Sequence, residues 1–361
     1  MEKYIRIASH FVDPETIGVI MPLGKGLIND TFKVMSKNGN EPKYVLQRIN
    51  DSVFTDVEML QSNIEAVTAH IRKKLEDRHV EDVNRKVLHF LKADSDKTYV
   101  KEDGSFWRMM DFIADSYTYD AVTPEYSYTA GLSFGQFEGM LADLKEPIGE
   151  IIPNFHNIEF RLQQLEDAVK ADAVGRMKDP VVKEYLEKIQ AQAERMCLGE
   201  RLYREGQLPK RICHCDTKVN NMLFDAEGQV LCVIDLDTVM PSFVFSDFGD
   251  FLRSAANTGA EDDSDLSKVN FNMAIFDAFA KGYLEGTKDF LLPVEKENLP
   301  YAALLFPYMQ TVRFFADYIN GDTYYKIQYP EHNLVRTKAQ WKLFESADAC
   351  YDAMQHAIMK Y

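Results

Sequence analysis

The chain has 361 residues, of which 46 % are apolar and 27 % charged, and a formal net charge of −16. That length and apolar fraction allow a large globular core. The acidic balance excludes nucleic acid as a partner class, because a polyanion is repelled over most of the surface, yet it leaves room for a locally positive pocket.

The N-terminal stretch MEKYIRIASHFVD has neither the apolar core nor the small-residue cleavage site of a secretory signal. No apolar run approaches the ~20 residues a membrane helix requires, so no membrane association is expected. The five cysteines are scattered and odd in number, unlike a disulfide framework, and a reducing cytoplasm is the expected location. Cys213, His214 and Cys215 are adjacent, with Cys232 further on. Their spacing matches neither C-x₂₋₄-C nor H-x₃₋₅-H, so buried, inert thiols are expected rather than zinc ligands.

Residues 18–50 alternate around glycines in the manner of strands, and KNGNEP is a turn joining the extended runs DTFKVM and KYVLQRI. Residues 55–76 place Val57, Leu60, Ile64, Val67 and Ile71 at helical spacing. RKVLHFLKA, TYVKED and GSFWRMMDFI read as three further strands. Beyond about residue 120 the pattern becomes helical, in TAGLSFGQFEGMLADL, NIEFRLQQLEDAVKAD and VVKEYLEKIQAQAERMCLGERLYREG. NMLFD and QVLCVIDLD interrupt it as a second hairpin, and the rest is helical to TKAQWKLFESADACYDAMQHAIMKY. The expected fold class is α+β in two lobes: a small sheet-rich lobe over 1–113 and a large, mainly helical lobe over 114–361.

HCDTKVNN, residues 214–221, sits between two apolar runs. Phosphoryl transfer needs a carboxylate near the attacking hydroxyl, cations on the phosphates and oxygen ligands for magnesium. His214, Asp216 and Asn221 repeat the spacing H-x-D-x-x-x-x-N of the protein-kinase catalytic loop. Asp216 is the candidate base, Asn221 a candidate magnesium ligand, and Lys218 a cation for the transferring phosphoryl. After a strand–turn–strand comes VIDLD, where Asp235 is the candidate metal carboxylate and Asp237 a second one. The alternative makes Asp216 and Asn221 turn residues satisfying their own backbone, which accounts for each but not for their joint spacing. The literal DFG at 247–249 lies too far from Asn221 and follows a Pro-Ser-aromatic loop, so Asp247 is expected to anchor that loop.

HCDTKVNNMLFD followed by VIDLDTVMP resembles the aminoglycoside phosphotransferase and choline kinase superfamily. With GLINDTF and RFFADYINGDTYYKI…EHNLVRTKAQ, the chain looks most similar to the N-acetylhexosamine 1-kinases within it. The resemblance spans nearly the whole chain. It implies a protein-kinase-like fold, ATP and Mg2+ as cofactors, Asp216 as base, Asn221 and Asp235 as metal ligands, and a sugar as acceptor. A monomer or weak homodimer is expected.

In the first lobe, Gly24 and Gly26 of PLGKGLINDTF offer backbone N–H groups to phosphates, a pattern equally suited to a plain turn and not a Walker A motif. The next strand carries Gln47 and Arg48 where a kinase places its phosphate-binding lysine, and alternation points them to opposite faces. Asp111 and Phe112 mark the expected adenine hinge, acting through backbone groups. Acceptor candidates are Asn29, Asp30, Arg313, Asp317, Tyr324 and Tyr325, although Arg313 and Asp317, four apart, can also simply pair on a solvated helix face. His156 reads as a structural histidine. Kinases of aminoglycosides, choline or homoserine-type acceptors, and a catalytically silent nucleotide-binding protein, are the alternatives.

Overall fold

A computed structural model of the protein describes residues 2–24, 28–39, 41–119 and 122–361. The chain divides into two compact units, both discontinuous in sequence. The first comprises Met1–Thr118, Asp143–Pro153 and Asn220–Met240; the second comprises Tyr119–Ala142, Asn154–Val219 and Pro241–Tyr361.

The first unit begins with a short helix, α1 (Glu2–Ala8), followed by strands β1 (Ile17–Pro22), β2 (Asp30–Ser36) and β3 (Pro42–Ile49). Helix α2 (Val57–Asp77) precedes β4 (Tyr99–Glu102) and β5 (Ser105–Asp111). The five strands form one antiparallel sheet in the order β1-β2-β3-β5-β4. One sheet face buries Val34, Leu46, Trp107 and Met109 against Ile7 and Ala8 of α1, each full burial being worth roughly 1.5–3 kcal/mol for a large side chain. Helix α2 starts where the Asp56 carboxylate accepts the Met59 N–H at 2.9 Å. It buries Val57, Leu60, Ile64, Val67 and Ile71, the stripe read from the sequence.

The strand expected over 85–93 is not formed: only Phe90 bridges to Met110. The reason is competition for one edge. Strand β4 pairs with Ser105–Arg108 of β5, which leaves only the last part of that edge for residues 89–91. The second hairpin is present: β7 (Met222–Phe224) and β8 (Val230–Val233) pair in the first unit, with Met222 opposite Val233, whereas the preceding β6 (Arg211–Cys213) belongs to the second. Phe224 and Tyr117 exchange backbone hydrogen bonds at 2.9 Å, which joins this hairpin to the rest of its unit.

The second unit is helical. It contains α3 (Pro124–Leu141), α4 (Ile158–Ala171), α5 (Pro180–Met196) and α6 (Leu198–Arg204), and, after the short β9 (Met240–Ser242) at its boundary, α7 (Phe245–Ala255) and α8 (Met273–Thr287). It closes with α9 (Pro293–Glu297), α10 (Leu299–Ile319), α11 (His332–Asp348) and α12 (Tyr351–Lys360). Two runs read as single helices are each broken, at Cys197 and at residues 349–350. Helix α10 is buried along nearly its whole length, as expected for an element surrounded by others. Helices α3 and α8 approach so closely that a Cβ at Gly131 would lie 2.2 Å from the Phe279 carbonyl oxygen, and one at Gly282 2.1 Å from that of Tyr128. No described helix is long and apolar enough to cross a membrane.

Candidate active site

Strand β6 ends at Cys213, and the chain turns through Cys215, whose φ of +62° lies in the left-handed region disfavoured for side chains. Helix α7 holds the turn in place. Its Asp247 carboxylate accepts the N–H groups of His214 (2.8 Å) and Cys215 (2.7 Å), and its Asp247 carbonyl accepts the Thr217 hydroxyl (2.8 Å). Asp247 therefore anchors the 214–217 turn, not the loop preceding α7. The His214 ring is fully buried against Phe134 and Phe137, with centroids 5.6 and 5.9 Å away. Its Nδ1 accepts the Asp216 N–H at 3.3 Å. Asp216 emerges from this turn with its carboxylate partly exposed, 2.5 Å from the Lys218 ammonium. Burial works against the Lys218 charge, but the negative charges of Asp216 and Asp250 outweigh it and raise the pKa.

Beside Asp247 lies Glu138 of α3, equally buried. Tyr283 of α8 donates its hydroxyl to the Glu138 carboxyl, 3.0 and 2.9 Å from its two oxygens. Burial first, and then the charge of Asp247, push Glu138 well above the usual carboxylate range. Burial raises Asp247 too, but His214 and the two backbone N–H groups oppose the rise. Glu138 thus keeps the proton and donates it to the Asp247 carboxylate. Cys213 completes a cluster whose ligand-type atoms lie within 4.8 Å of one another. A metal there would have to displace the N–H donors already on Asp247, so the cluster suits a shared proton. Burial pushes the Cys213 and Cys215 thiols well up, which keeps them protonated. One turn along α7, burial pushes Asp250 up to about 6, with Arg253 opposing and Asp216 adding.

The first unit carries Asn221 and Asp235. The Asn221 carbonyl accepts the Ile234 N–H at 2.9 Å, so the hairpin brings Asn221 and the residue before Asp235 together. Asp235 is exposed with φ +61°. An amide oxygen and an exposed carboxylate at one hairpin end are a donor set suited to magnesium, which favours hard oxygen ligands and retains waters. Asp237, the second metal candidate, is instead buried and engaged: Asn29 Nδ2 donates to it at 2.6 Å and Arg108 Nη1 lies 2.6 Å away. Asn29 also accepts the Asn50 N–H at 2.9 Å. Asn29 is thereby held in place through one amide N–H and its oxygen. Asp30 pairs with Arg48 at 2.6 Å on exposed surface, so neither is presented as a free group for an acceptor or a phosphate. Gln47 points to the other face, donating to Thr31 (3.1 Å) and accepting from Arg108 Nε (3.0 Å).

Gly24 has φ +70°, a turn conformation glycine adopts without strain; Gly26 lies outside the described residues. At the expected adenine hinge, the Asp111 and Phe112 N–H groups are taken by the His89 and Lys43 carbonyls (3.0 and 2.9 Å). A nucleobase would therefore meet the carbonyls there rather than those N–H donors.

In the second unit, Asp317 does not pair with Arg313 on a solvated face. It is buried and accepts the N–H groups of Thr323 (2.9 Å), Tyr324 (2.8 Å) and Tyr325 (3.0 Å), which fixes the segment carrying both tyrosines. Arg313 donates to Gln310 at 3.2 Å and stands 5.6 and 5.9 Å from the Tyr325 and Phe155 rings. Arg161 donates to the Phe155 carbonyl at 2.8 Å. Burial and then Arg313 pull its pKa down to about 10. Among the described residues neither arginine forms an ion pair with a carboxylate. Tyr324 is 76 % exposed. His156 is held neutral, chiefly by burial and then by Arg313 and Arg161, in keeping with a structural role.

Four residues escaped the sequence reading: Arg108, Glu138, Arg161 and Asp250. Arg108 and Glu138 left one signal each, a lone charge among apolar neighbours in SFWRMMD and FGQFEGML. Asp250 left the same kind of signal in FGDFL, whereas Arg161 sits among other polar residues and left none.

The fold is shared with solved phosphotransferases. An aminoglycoside phosphotransferase from Alicyclobacillus acidocaldarius superimposes with a TM-score of 0.60 at 13 % identity, covering 99 % of this chain and 96 % of that one. A choline kinase from Cryptosporidium parvum gives 0.58 at 13 %, covering 99 % of each. A spectinomycin phosphotransferase in complex with ADP and spectinomycin gives 0.57 at 13 %, covering 100 % of this chain and 98 % of that one. Residues 19–289 match the model of the phosphotransferase enzyme family. The pinned turn bearing Asp216, on this two-part α+β fold, is thus set in a chain that belongs to the phosphotransferase enzyme family.

Proposed function

We propose that the protein is an ATP- and magnesium-dependent kinase that phosphorylates the anomeric hydroxyl of an N-acetylhexosamine (GlcNAc or GalNAc), giving the sugar 1-phosphate. The observation that carries the kinase reading is Asp216, partly exposed on a turn fixed by Asp247 and paired with Lys218. In this reading Asp216 orients the attacking hydroxyl and receives its proton, while Lys218 holds the carboxylate in place and offsets negative charge. Asn221 and Asp235 would hold magnesium, and Gly24 would let the backbone approach phosphates. The bound magnesium nucleotide would supply the phosphoryl group and charge neutralisation at that end. The spectinomycin phosphotransferase neighbour, which holds ADP, is in keeping with nucleotide use.

Charge supports the choice of a sugar as acceptor. Spectinomycin and choline are named for two neighbours, and cationic acceptors of that kind call for carboxylates or an aromatic cage. Here Arg313 and Arg161 stand beside Tyr325 and Phe155 without a carboxylate partner among the described residues. Two such guanidinium groups repel an ammonium and donate hydrogen bonds to hydroxyl and acetamido oxygens. The test is ATP consumption over free N-acetylhexosamines, plain hexoses, aminoglycosides and choline, followed by product analysis. The expected product is acid-labile and non-reducing, as a 1-phosphate is. Turnover of an aminoglycoside or choline, with no sugar phosphate formed, would remove the substrate assignment and leave the kinase.

A further inference from the structure

Strand β3 carries Gln47 at the position where kinases place the lysine that contacts the nucleotide phosphates, yet the first unit does hold a buried cation at that place. Gln47 and Arg108 are direct partners in the antiparallel register of β3 and β5. Their side chains therefore leave the sheet on the same face about 5 Å apart. Arg108 Nε donates to Gln47 Oε1 at 3.0 Å, so the amide aligns the guanidinium rather than replacing it. Arg48, the neighbouring cation on β3, points to the other face and is engaged by exposed Asp30.

Arg108 reaches toward the segment that follows β8, which carries the proposed metal ligand Asp235. Its side chain is 3 % exposed and its Nη1 lies 2.6 Å from Oδ1 of Asp237, two residues beyond Asp235. The two atoms are close but misaligned, and each is buried without a hydrogen bond among the described groups. Asp237 is meanwhile fixed by Asn29 through its other oxygen. The Phe90 ring lies 5.3 Å from the guanidinium carbon, a cation–π distance that covers one face of the group. A buried guanidinium whose Nη1 is paired with Asp237 by charge but makes no aligned hydrogen bond suits a polyphosphate, whose oxygens accept from a planar fork.

We propose that Arg108 is the nucleotide-phosphate-binding cation of this enzyme, delivered from β5 across the sheet in place of a lysine on β3. Asp237 and Gln47 are the positioning residues that aim it. The inference rests on the reading of the protein as an ATP-dependent kinase.

The test is calorimetric binding of magnesium ADP and of adenosine, which lacks phosphates, to the full chain. Arg108→Met should weaken ADP binding by roughly 10- to 100-fold, the worth of a charged hydrogen bond, while adenosine binds as in the wild type. If loss of one partner of the buried pair unfolds the protein, Arg108→Met with Asp237→Asn removes both charges together. Gln47→Lys added to Arg108→Met should restore most of the ADP affinity from the neighbouring strand. An unchanged ratio of ADP to adenosine affinity in a folded variant assigns Arg108 to structure alone and overturns the proposal. Failure of the wild type to bind ADP or adenosine would instead overturn the ATP reading, and the proposal with it.

Discussion

Glu138 and Asp247 touch the same proton but should respond oppositely to removal of a charge. Replacing Asp247 with Asn leaves one oxygen for the two N–H groups of His214 and Cys215, now 2.8 and 2.7 Å from the carboxylate. The new amide N–H₂ would face a donor. One orphaned N–H in a fully buried site costs about 1–3 kcal/mol, and the donor–donor contact adds to it, so a loss of about 2–5 kcal/mol is expected. That is a large part of a typical domain's 5–15 kcal/mol. Glu138→Gln, by contrast, is isosteric with the protonated acid: its amide donates to Asp247 and its oxygen accepts from Tyr283. It should stay within about 1 kcal/mol of the wild type at pH 7. Because the folded pKa of Glu138 is raised, its contribution is complete at low pH and is lost as pH rises through that pKa. The Gln variant should therefore gain on the wild type in alkaline solution. Urea denaturation at several pH values reads both effects, and kcat should fall ~10²-fold in Asp247→Asn as the base is misplaced. A Glu138→Gln loss as large as that of Asp247→Asn would mean that Glu138 is ionised, and the shared-proton account would fail.

Asp216→Asn should lower kcat by ~10²–10⁴-fold with nucleotide affinity kept, as measured by steady-state kinetics and calorimetry; near-normal turnover would dismiss it as the base. Asp235→Ala should abolish magnesium-dependent turnover and leave the melting temperature nearly unchanged, since the residue is exposed; full activity after titration with magnesium would rule out its metal role. Asp250 has a folded pKa of about 6 against a usual 3.8, chiefly from burial. Its stabilising contribution is complete below pH ~4 and disappears as pH rises through ~6. Melting curves of Asp250→Asn should thus lose that part of the pH dependence, and parallel curves for wild type and variant would contradict the assignment.

The elements were legible where one face decides everything. Helix α2 follows from five apolar residues at helical spacing, and the β2–β3 pair from alternation around a turn. The 85–93 segment misled because alternation reports a strand's preference but not whether a sheet edge is vacant. The same limit hid the grouping of the 220–240 hairpin with the first unit. For the site, spacing singled out Asp216, Asn221 and Asp235 as candidates because they lie within one stretch of chain. Arg108 stayed hidden: it is 61 residues from Gln47 in sequence, and only the register of two strands makes them neighbours. Asn29 and Asp317 read as acceptor candidates because nothing local shows that Asp237, in the one case, and three backbone N–H groups, in the other, engage them.

The contact between α3 and α8 has a bearing on how damage spreads. Gly282 is next to Tyr283, and at Gly282 the backbones leave no room for a methyl group. Helix α3 carries Glu138 and helix α8 carries the hydroxyl that reaches it. The spacing of two helices remote in sequence from the 214–217 turn therefore acts as a gauge for the acid that steadies Asp247. Wedging that seam apart by a fraction of an ångström would slacken the hydroxyl first, then the shared proton, then the turn. Substitutions lining the seam would surface as failing turnover in a protein that still melts as a folded one, and a survey of surface positions alone would never find the cause.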